Sequence, residues 1–525
     1  MSQPPFSRRH FLKATSAALG ALVLTDPIRA GRADVPASDP TTSLGLRWTG
    51  SLRWAQVVDV TTIPGRDWDE RLKRAQEELS RRGGGVAYFP EGTYAFGDHI
   101  HLLDGVILRG AEPEDGTTAL DSRYSPPTRF EFPRYEPKLD GDGTPVDTAF
   151  KGIYLADPAR ASNCGVVHIS LNRGHIHFGE AEDHRCGANR IVYGCVLRNA
   201  AVAAPDVPDL ELGQKPWQRY TRWHYAAIAV HASENILIAH NRLPESTDSF
   251  PMPGYVLRAR RPRDGKPTVE YDVVFDYDNR PGIDAGSCCM GAPGGEEPSG
   301  TPESHPWGFR KGTVIRHNFI YATGRNAIAF SGDGTICSDN VIRFKKDVWR
   351  QTNNGRHETS GSSTNDNRAV QMRGWRWVVE RNDYEVWRNW AADHKYYIND
   401  GEGLMHENHC NSHIRDSRLV GNRGNAYLSL YKTGGIDGLL VEDNDVTVDR
   451  GLAIFVESDH DSRRRGPCRR VTIAGNRTSG GGILIAGQPA SDNVVRGNRH
   501  TGKGGIIRNR ANARIEGNEG YEVEG

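Results

Sequence analysis

Val471-Thr472-Ile473-Ala474-Gly475-Asn476, Val494-Val495-Arg496-Gly497-Asn498 and Ile515-Glu516-Gly517-Asn518 repeat one pattern, a short segment rich in apolar residues that ends in asparagine. The steps are regular: Asn476 to Asn498 is 22 residues and Asn498 to Asn518 is 20. The same ending recurs at Asn318, Asn340, Asn422 and Asn444, again with steps of 22 from 318 to 340 and from 422 to 444. Asn199 to Asn241 and Asn340 to Asn382 are each 42, which suits either two turns or one turn carrying an insertion. A period near 22 fits one three-strand coil of a parallel β-solenoid, in which each coil touches only its neighbours. Asparagine at one turn position, coil after coil, can stack into a side-chain hydrogen-bond ladder, and it tolerates the left-handed backbone of a tight turn. A leucine-rich solenoid would need spaced leucines that this sequence lacks.

Composition agrees. The 525 residues are 37% hydrophobic, enough to bury a large core, and 59 glycines favour turn-rich β structure over a helical bundle. Basic and acidic residues balance at 66 each, so the chain lacks the basic field of a general nucleic-acid binder. Eight cysteines are scattered without paired metal-ligand spacing and read as small buried hydrophobes, with one or two disulfides admissible after export. One helix is expected ahead of the strands. Asp67 is its N-cap, with Glu70 completing a capping box, and Trp68, Leu72, Ala75 and Leu79 fall on one face before Gly83-Gly84-Gly85 stops it.

That helix, the glycine run, Val86-Ala87-Tyr88-Phe89-Pro90-Glu91-Gly92-Thr93-Tyr94 and Gly105-Val106-Ile107-Leu108-Arg109-Gly110 together resemble the opening turns of the pectate-lyase and polygalacturonase superfamily. The resemblance covers about 60 residues and implies an all-β fold, a right-handed parallel β-helix whose N-terminal end is capped by the helix. It implies action on a polysaccharide, although hydrolases, lyases and phage tailspikes all share the scaffold.

Ser7-Arg8-Arg9-His10-Phe11-Leu12-Lys13 resembles the twin-arginine export motif. Residues 14–24 supply a weakly apolar stretch, shorter than the roughly 20 residues that span a bilayer, and Ala30-Gly31-Arg32-Ala33 offers small residues for cleavage. The chain is therefore expected to divide into a signal peptide at 1–33, an N-terminal segment with the helix and first coils at 34–110, and the β-helix at 111–525. Insertions are expected at about 245–310 and 345–395, where the repeat loses its rhythm. This implies a periplasmic or extracellular protein with no membrane contact after signal removal.

Strands of successive coils stack about 4.8 Å apart, so their outward residues form columns. Segments containing Ile328, Phe330, Val370, Met372, Leu428, Leu430, Ile454 and Val456 place these side chains inward. Facing out are Ser331, Gln371, Arg373, Asn399, Ser429, Tyr431 and Glu457, with Asp333, Asp400, Glu402, Lys432 and His460 just beyond strand ends. A hydrolase could use Asp400 or Glu402 against Glu457, two coils and about 9.6 Å apart, at the edge of the inverting window, with Asp333 as a further partner. A lyase could use Arg373 with Tyr431 or Lys432. Trp375, Trp377, Trp387 and Trp390 read either as satellite core or as platforms for sugar rings, beside Asn399 and His460. The hydrolase reading requires no cofactor, and the lyase reading admits calcium. No metal site is assigned: His406, Glu407 and His409 lack zinc-ligand spacing, and Asp272, Asp276, Asp278 and Asp284 suit a hydrophilic strand edge.

The partner expected is a polysaccharide, not nucleic acid, and the oligomeric state is left open. The rivals are a non-catalytic carbohydrate-binding β-helix and a uronate epimerase. For the latter, Glu457-Ser458-Asp459-His460-Asp461 resembles the acidic-His motif of β-helix alginate epimerases without its proline. Gly332-Asp333-Gly334 and Asn399-Asp400-Gly401 only echo polygalacturonase motifs.

Overall fold

The computed structural model describes residues 38–525, apart from 115, 135–150, 179–186, 201–210, 213–225, 232, 245–246, 259–269, 277–282, 287–309, 323–325, 346–367, 388–406, 411–413, 431–434, 449–450, 459–465 and 490–491. The export motif thus lies outside the described residues. Among those described, the chain winds through three parallel sheets of 15, 13 and 12 strands, named here A, C and B. One short coil shows the plan, with Gly482–Ala486 in sheet C, Val494–Arg496 in sheet A and Arg499–Thr501 in sheet B. Each such strand pairs in parallel with its equivalents one coil away, as in Ile315↔Cys337 and Ile473↔Val495. The architecture is the right-handed parallel β-helix expected. Ile328, Phe330, Val370, Met372, Leu428, Leu430, Ile454 and Val456 all point into its core. Burial of each such side chain stabilises the fold by about 1.5–3 kcal/mol.

The turn from sheet A to sheet B carries the asparagine ladder. Asn241, Asn318, Asn340, Asn382, Asn422, Asn444, Asn476, Asn498 and Asn518 occupy it, each Oδ1 accepting the backbone N–H one coil earlier at 2.9–3.1 Å. The Nδ2 of Asn340 donates both to Asn382 Oδ1 at 2.9 Å and to the carbonyl of Ile315 at 3.1 Å, so the buried amide is fully satisfied. Two expectations shift in detail. The left-handed residue is the one before each asparagine: His240, His317, Asp339, Arg381, Gly421, Asp443, Gly475, Gly497 and Gly517 all have φ between 51° and 64°. The asparagine is needed for its inward amide, not for its backbone. Asn199 is not a rung either, because the ladder position of its coil is Cys195, whose N–H donates to Asn241 Oδ1. The step of 42 from 340 to 382 is one turn with an insertion, since Cys337 pairs directly with Val379.

The helix is Trp68–Arg81, and Leu72, Ala75 and Leu79 bury their side chains in the core beside the first strands of sheet A. Asp67 caps it by accepting from Glu70 N at 2.8 Å. Glu70 does not close the box on Asp67; it accepts from Arg66 N at 3.0 Å and pairs with Arg66 and Arg74. At the stop, a Cβ on Gly84 would sit 2.6 Å from the carbonyl oxygen of Gly105, so only glycine lets the next coil approach. Cys164, Cys195, Cys337 and Cys468 are buried free thiols, and burial pushes the Cys164 and Cys195 thiols up to about 12. No described helix is long and apolar enough to cross a membrane.

Both expected insertions are narrower than the sequence suggested. Within 245–310, Ser249–Arg258 and Glu270–Asp276 form an antiparallel pair outside the three parallel sheets, but Ile283–Gly286 returns as a rung of sheet C. Within 345–395, Arg368–Trp375, Val378–Glu380 and Asp383–Trp387 are regular rungs of C, A and B. From Cys195 onward the added lengths (199–227, 244–282, 287–312, 346–367, 388–406 and 458–466) fall between B and C or between C and A. Over this span the A–B turn takes none, whereas in the early coils residues 111–127 join A to B. Sheet C is therefore bordered on both edges by the variable segments, the arrangement in which scaffolds carry binding residues.

Candidate functional site

One register row of sheet C runs through thirteen strands: His101, Tyr154, His177, Ala229, Asp284, Ala329, Gln371, His409, Ser429, Phe455, Leu484, Arg508 and Glu524. Its first three coils carry His101, Tyr154 and His177 in direct succession, a patch the expectations from sequence did not include. Strict alternation puts them there. Ile100 and Leu102 face in around His101, Ile153 and Leu155 around Tyr154, and Ile176 and Phe178 alternate with His175 and His177. Residues 53 and 23 apart in sequence thus become neighbours only once coil lengths are known.

Tyr154 is the hub of the patch. Its ring lies 4.9 Å from that of His99, 6.0 Å from His101, 5.3 Å from His175 and 5.5 Å from His177. Its hydroxyl is hydrogen-bonded to Nε2 of His175 at 2.7 Å. His175 is 1% exposed, and burial, reinforced by His177 and His99, pushes its imidazolium down to about 3. The ring is therefore neutral at physiological pH, and its Nδ1 is buried with no hydrogen-bond partner. Such a group is costly and uncommon in a folded interior. Gly152 makes room for it: a Cβ there would meet His175 Nδ1 at 2.9 Å and the His175 carbonyl oxygen at 2.6 Å. An ordinary phenol ionises near 10, so full transfer of its proton to an imidazole titrating near 3 would cost on the order of 9 kcal/mol. His175 thus orients the Tyr154 hydroxyl rather than deprotonating it. Next to the patch, Lys151 pairs with Asp98 at 2.8 Å and holds its carboxyl below the usual range.

Further along, the register sets Ser331 beside Arg373 and Asp333 beside Trp375. The expected outward residues Ser331, Gln371, Arg373 and Ser429 do leave the core, yet they are covered, Gln371 to 3% and Arg373 to 7% exposure. Asp333 is likewise buried and ion-paired with Arg376. Glu457 is half-buried at the end of Leu452–Glu457. It continues the column of Arg373 three coils away, about 14 Å by strand spacing, because Met372, Cys410, Leu430 and Val456 are in register.

Several expected site residues are placed differently. The sheet C strand described between Asn382 and Asn422 is Glu407–Cys410, while the segment around Asn399 and Asp400 lies outside the described residues. The strand's polar Asn408, at the register position of Val370 and Leu428, hid it from an alternation search. Asn399, Asp400, Glu402, Trp390, Tyr431, Lys432 and His460 lie outside the described residues. Trp377 is fully buried in the core with its Nε1 unpartnered, and Trp375 is 7% exposed with Arg415 over its ring at 5.1 Å. Neither ring offers a free face to a sugar; both turned toward packing because they sit on a regular coil and not in a loop. Trp387 ends a strand of sheet B. Among the described residues no three His, Cys, Asp or Glu side chains converge as a metal site.

No family model matches the chain, and no curated protein matches it. Solved structures similar in outline include the mannuronan C-5 epimerase AlgE4 A-module of Azotobacter vinelandii, with 12% identity, covering 90% of this chain and 98% of that one at a TM-score of 0.34. The exopolygalacturonase of Thermotoga maritima matches at 13% identity, 89% and 92% coverage and a TM-score of 0.35. PfbA, a surface adhesin of Streptococcus pneumoniae, matches at 11% identity, 89% and 92% coverage and a TM-score of 0.40. At that identity and overlap the matches assign neither residues nor activity.

Proposed function

We propose that the outward face of sheet C processes a polysaccharide, and that the protein is an exported carbohydrate-active enzyme of the lyase type, sent out by the twin-arginine route. The observation that carries this reading is the 2.7 Å Tyr154–His175 hydrogen bond at the centre of a histidine patch. Elimination at a uronate needs a base for the proton beside the carboxylate and an acid for the departing glycosidic oxygen. The exposed His101 is the base, Tyr154 the acid, and His175 a positioning residue that fixes the phenol. Lys151, beside the patch, is a described cation for the uronate carboxylate, and calcium is the alternative, tested by chelation. Hydrolysis has less support. Asp333 and Glu457 stand four coils apart, about 19 Å, well beyond a roughly 6.5–9.5 Å inverting pair, and Asp400 and Glu402 lie outside the described residues.

The test is a panel of uronate-rich and neutral polysaccharides, read both by ultraviolet absorbance of unsaturated uronate and by new reducing ends. The expected result is absorbance on a uronate polymer that falls by about 10²–10⁴-fold in Tyr154→Phe. Reducing ends without absorbance would identify a hydrolase instead, and binding without either signal a non-catalytic β-helix.

A further inference from the structure

A second polar cavity lies on a different face. It opens over the outside of sheet B in the early coils and encloses about 540 Å³. Its floor is two outward columns, Arg129–Ser170–Val196–Arg242 and Glu131–Asn172–Arg198, separated by the inward Phe130, Leu171, Leu197 and Leu243. The walls are pinned. Tyr124 donates to the carbonyl of Gly194 at 2.8 Å on one side. On the other, Asn199 Oδ1 accepts from the backbone of Thr247 at 2.7 Å and Asp248 at 3.1 Å, and Arg173 holds the Asp248 carboxylate at 2.7 Å.

Charge in this cavity is unbalanced. Five arginines line it against two carboxylates, and those two are engaged, Asp248 by Arg173 and Glu131 by Asn172 at 2.7 Å. Arg123 pairs with Asp121 at 3.0 Å. The guanidinium groups of Arg129 and Arg198 make no hydrogen bond or ion pair with any described residue. The Arg242 guanidinium donates only to the carbonyl of Ala119, at 3.0 Å, and stacks 4.0 Å over Phe319. Burial and the neighbouring Arg198 both disfavour its charged form, and Asp121, itself paired with Arg123, offsets them only in part. Guanidinium forks match carboxylate and sulfate oxygens in pairs. The volume far exceeds the roughly 30 Å³ of one water, and the serine, threonine and asparagine lining suits a polyhydroxyl ligand.

We infer that this cavity is a second binding site, for a sugar unit that carries a carboxylate or sulfate, held by Arg129, Arg198 and Arg242. It is independent of the chemistry assigned to sheet C. Calorimetric titration of the full chain with digalacturonate, a sulfated disaccharide and neutral maltose tests it, at low and high salt. The expected result is that at least one acidic saccharide binds more tightly than maltose and weakens with salt. Its affinity should fall about tenfold or more in Arg129→Ala/Arg198→Ala, two exposed side chains whose loss should leave the thermal melt unchanged. Arg198→Lys should recover part of it. Unchanged affinity in the double variant, equal binding of maltose, or no binding of either acidic saccharide would overturn the site. Because acidic sugar bound on sheet C would survive the double variant, that failure leaves the lyase reading standing, and loss of turnover in Tyr154→Phe leaves the cavity standing.

Discussion

The A–B turn and the outer face of sheet C bury polar side chains in opposite ways. On the turn, every rung amide is used: Asn422 Oδ1 accepts from Asn382 N and Nδ2, while Asn422 Nδ2 donates to Asn444 and to the carbonyl of Val379. On the face, His175 is just as buried but keeps one nitrogen unpartnered and gives the other to a tyrosine. A polar group whose needs are met by its own repeat is architecture. A polar group buried without a full set of partners lowers stability and needs another reason to be there. In this molecule the contrast separates the part that spells the fold from the part that can do chemistry.

The largest effect expected is on acid stability, and it touches both regions. Burial holds the imidazoles of His175 and His168 down to about 3 and that of His240 down to about 4, against about 6.5 when unfolded. Between those values the unfolded chain binds more protons, so stability is complete above about 6.5 and drains as pH falls, by about 1.4 kcal/mol per pH unit for each ring that stays neutral. Urea midpoints from pH 7 to 4 should show this, and His175→Gln and His240→Gln should each flatten the acid limb. If only one does, the two regions do not share this cause.

Next comes the ladder itself. Asn340→Ala strips the acceptor from Asn318 N and Nδ2 and the donor from the Ile315 carbonyl, and should cost about 2–4 kcal/mol in denaturant unfolding. Activity per folded molecule should stay intact, and a cost under about 0.5 kcal/mol would dismiss the ladder as a stabilising device. Gly152→Ala reverses that profile: its Cβ collides with His175, so turnover should fall by about 10²-fold while stability drops by about 1–3 kcal/mol. An unchanged rate would show that the His175 position is immaterial. The smallest effect is Gly421→Ala, where a Cβ meets only the Arg381 side chain at 3.7 Å, so the cost is the left-handed backbone alone, about 1 kcal/mol by thermal melt.

The ladder was legible because a period of 22 survives insertions and because an inward amide admits little but asparagine. The off-by-one in the left-handed position arose from assigning both properties to one residue; glycine at 421, 475, 497 and 517 held the clue. Rungs such as Ile283–Gly286 and Glu407–Cys410 were hidden because they are short, and the latter carries asparagine at a core register position. For Trp377 the core reading holds over the platform reading, and what decides between them is the pairing of the following strand, Val379 with Cys337, which local pattern does not show. Of the site, the alternation His175-Ile176-His177-Phe178 was visible, but its companionship with Tyr154 and His101 depends on coil length, which local pattern does not encode.

The placement of extra chain has a thermodynamic side. Successive rungs are joined by as few as 20 residues and by as many as 77, yet the amide contacts across them are the same within 0.2 Å. Closure entropy grows only with the logarithm of length, so stretching a 22-residue circuit to 77 costs about 1 kcal/mol. A lineage can therefore lengthen, trade or delete the borders of its working surface for less than the worth of one rung, and the solenoid will still wind in step.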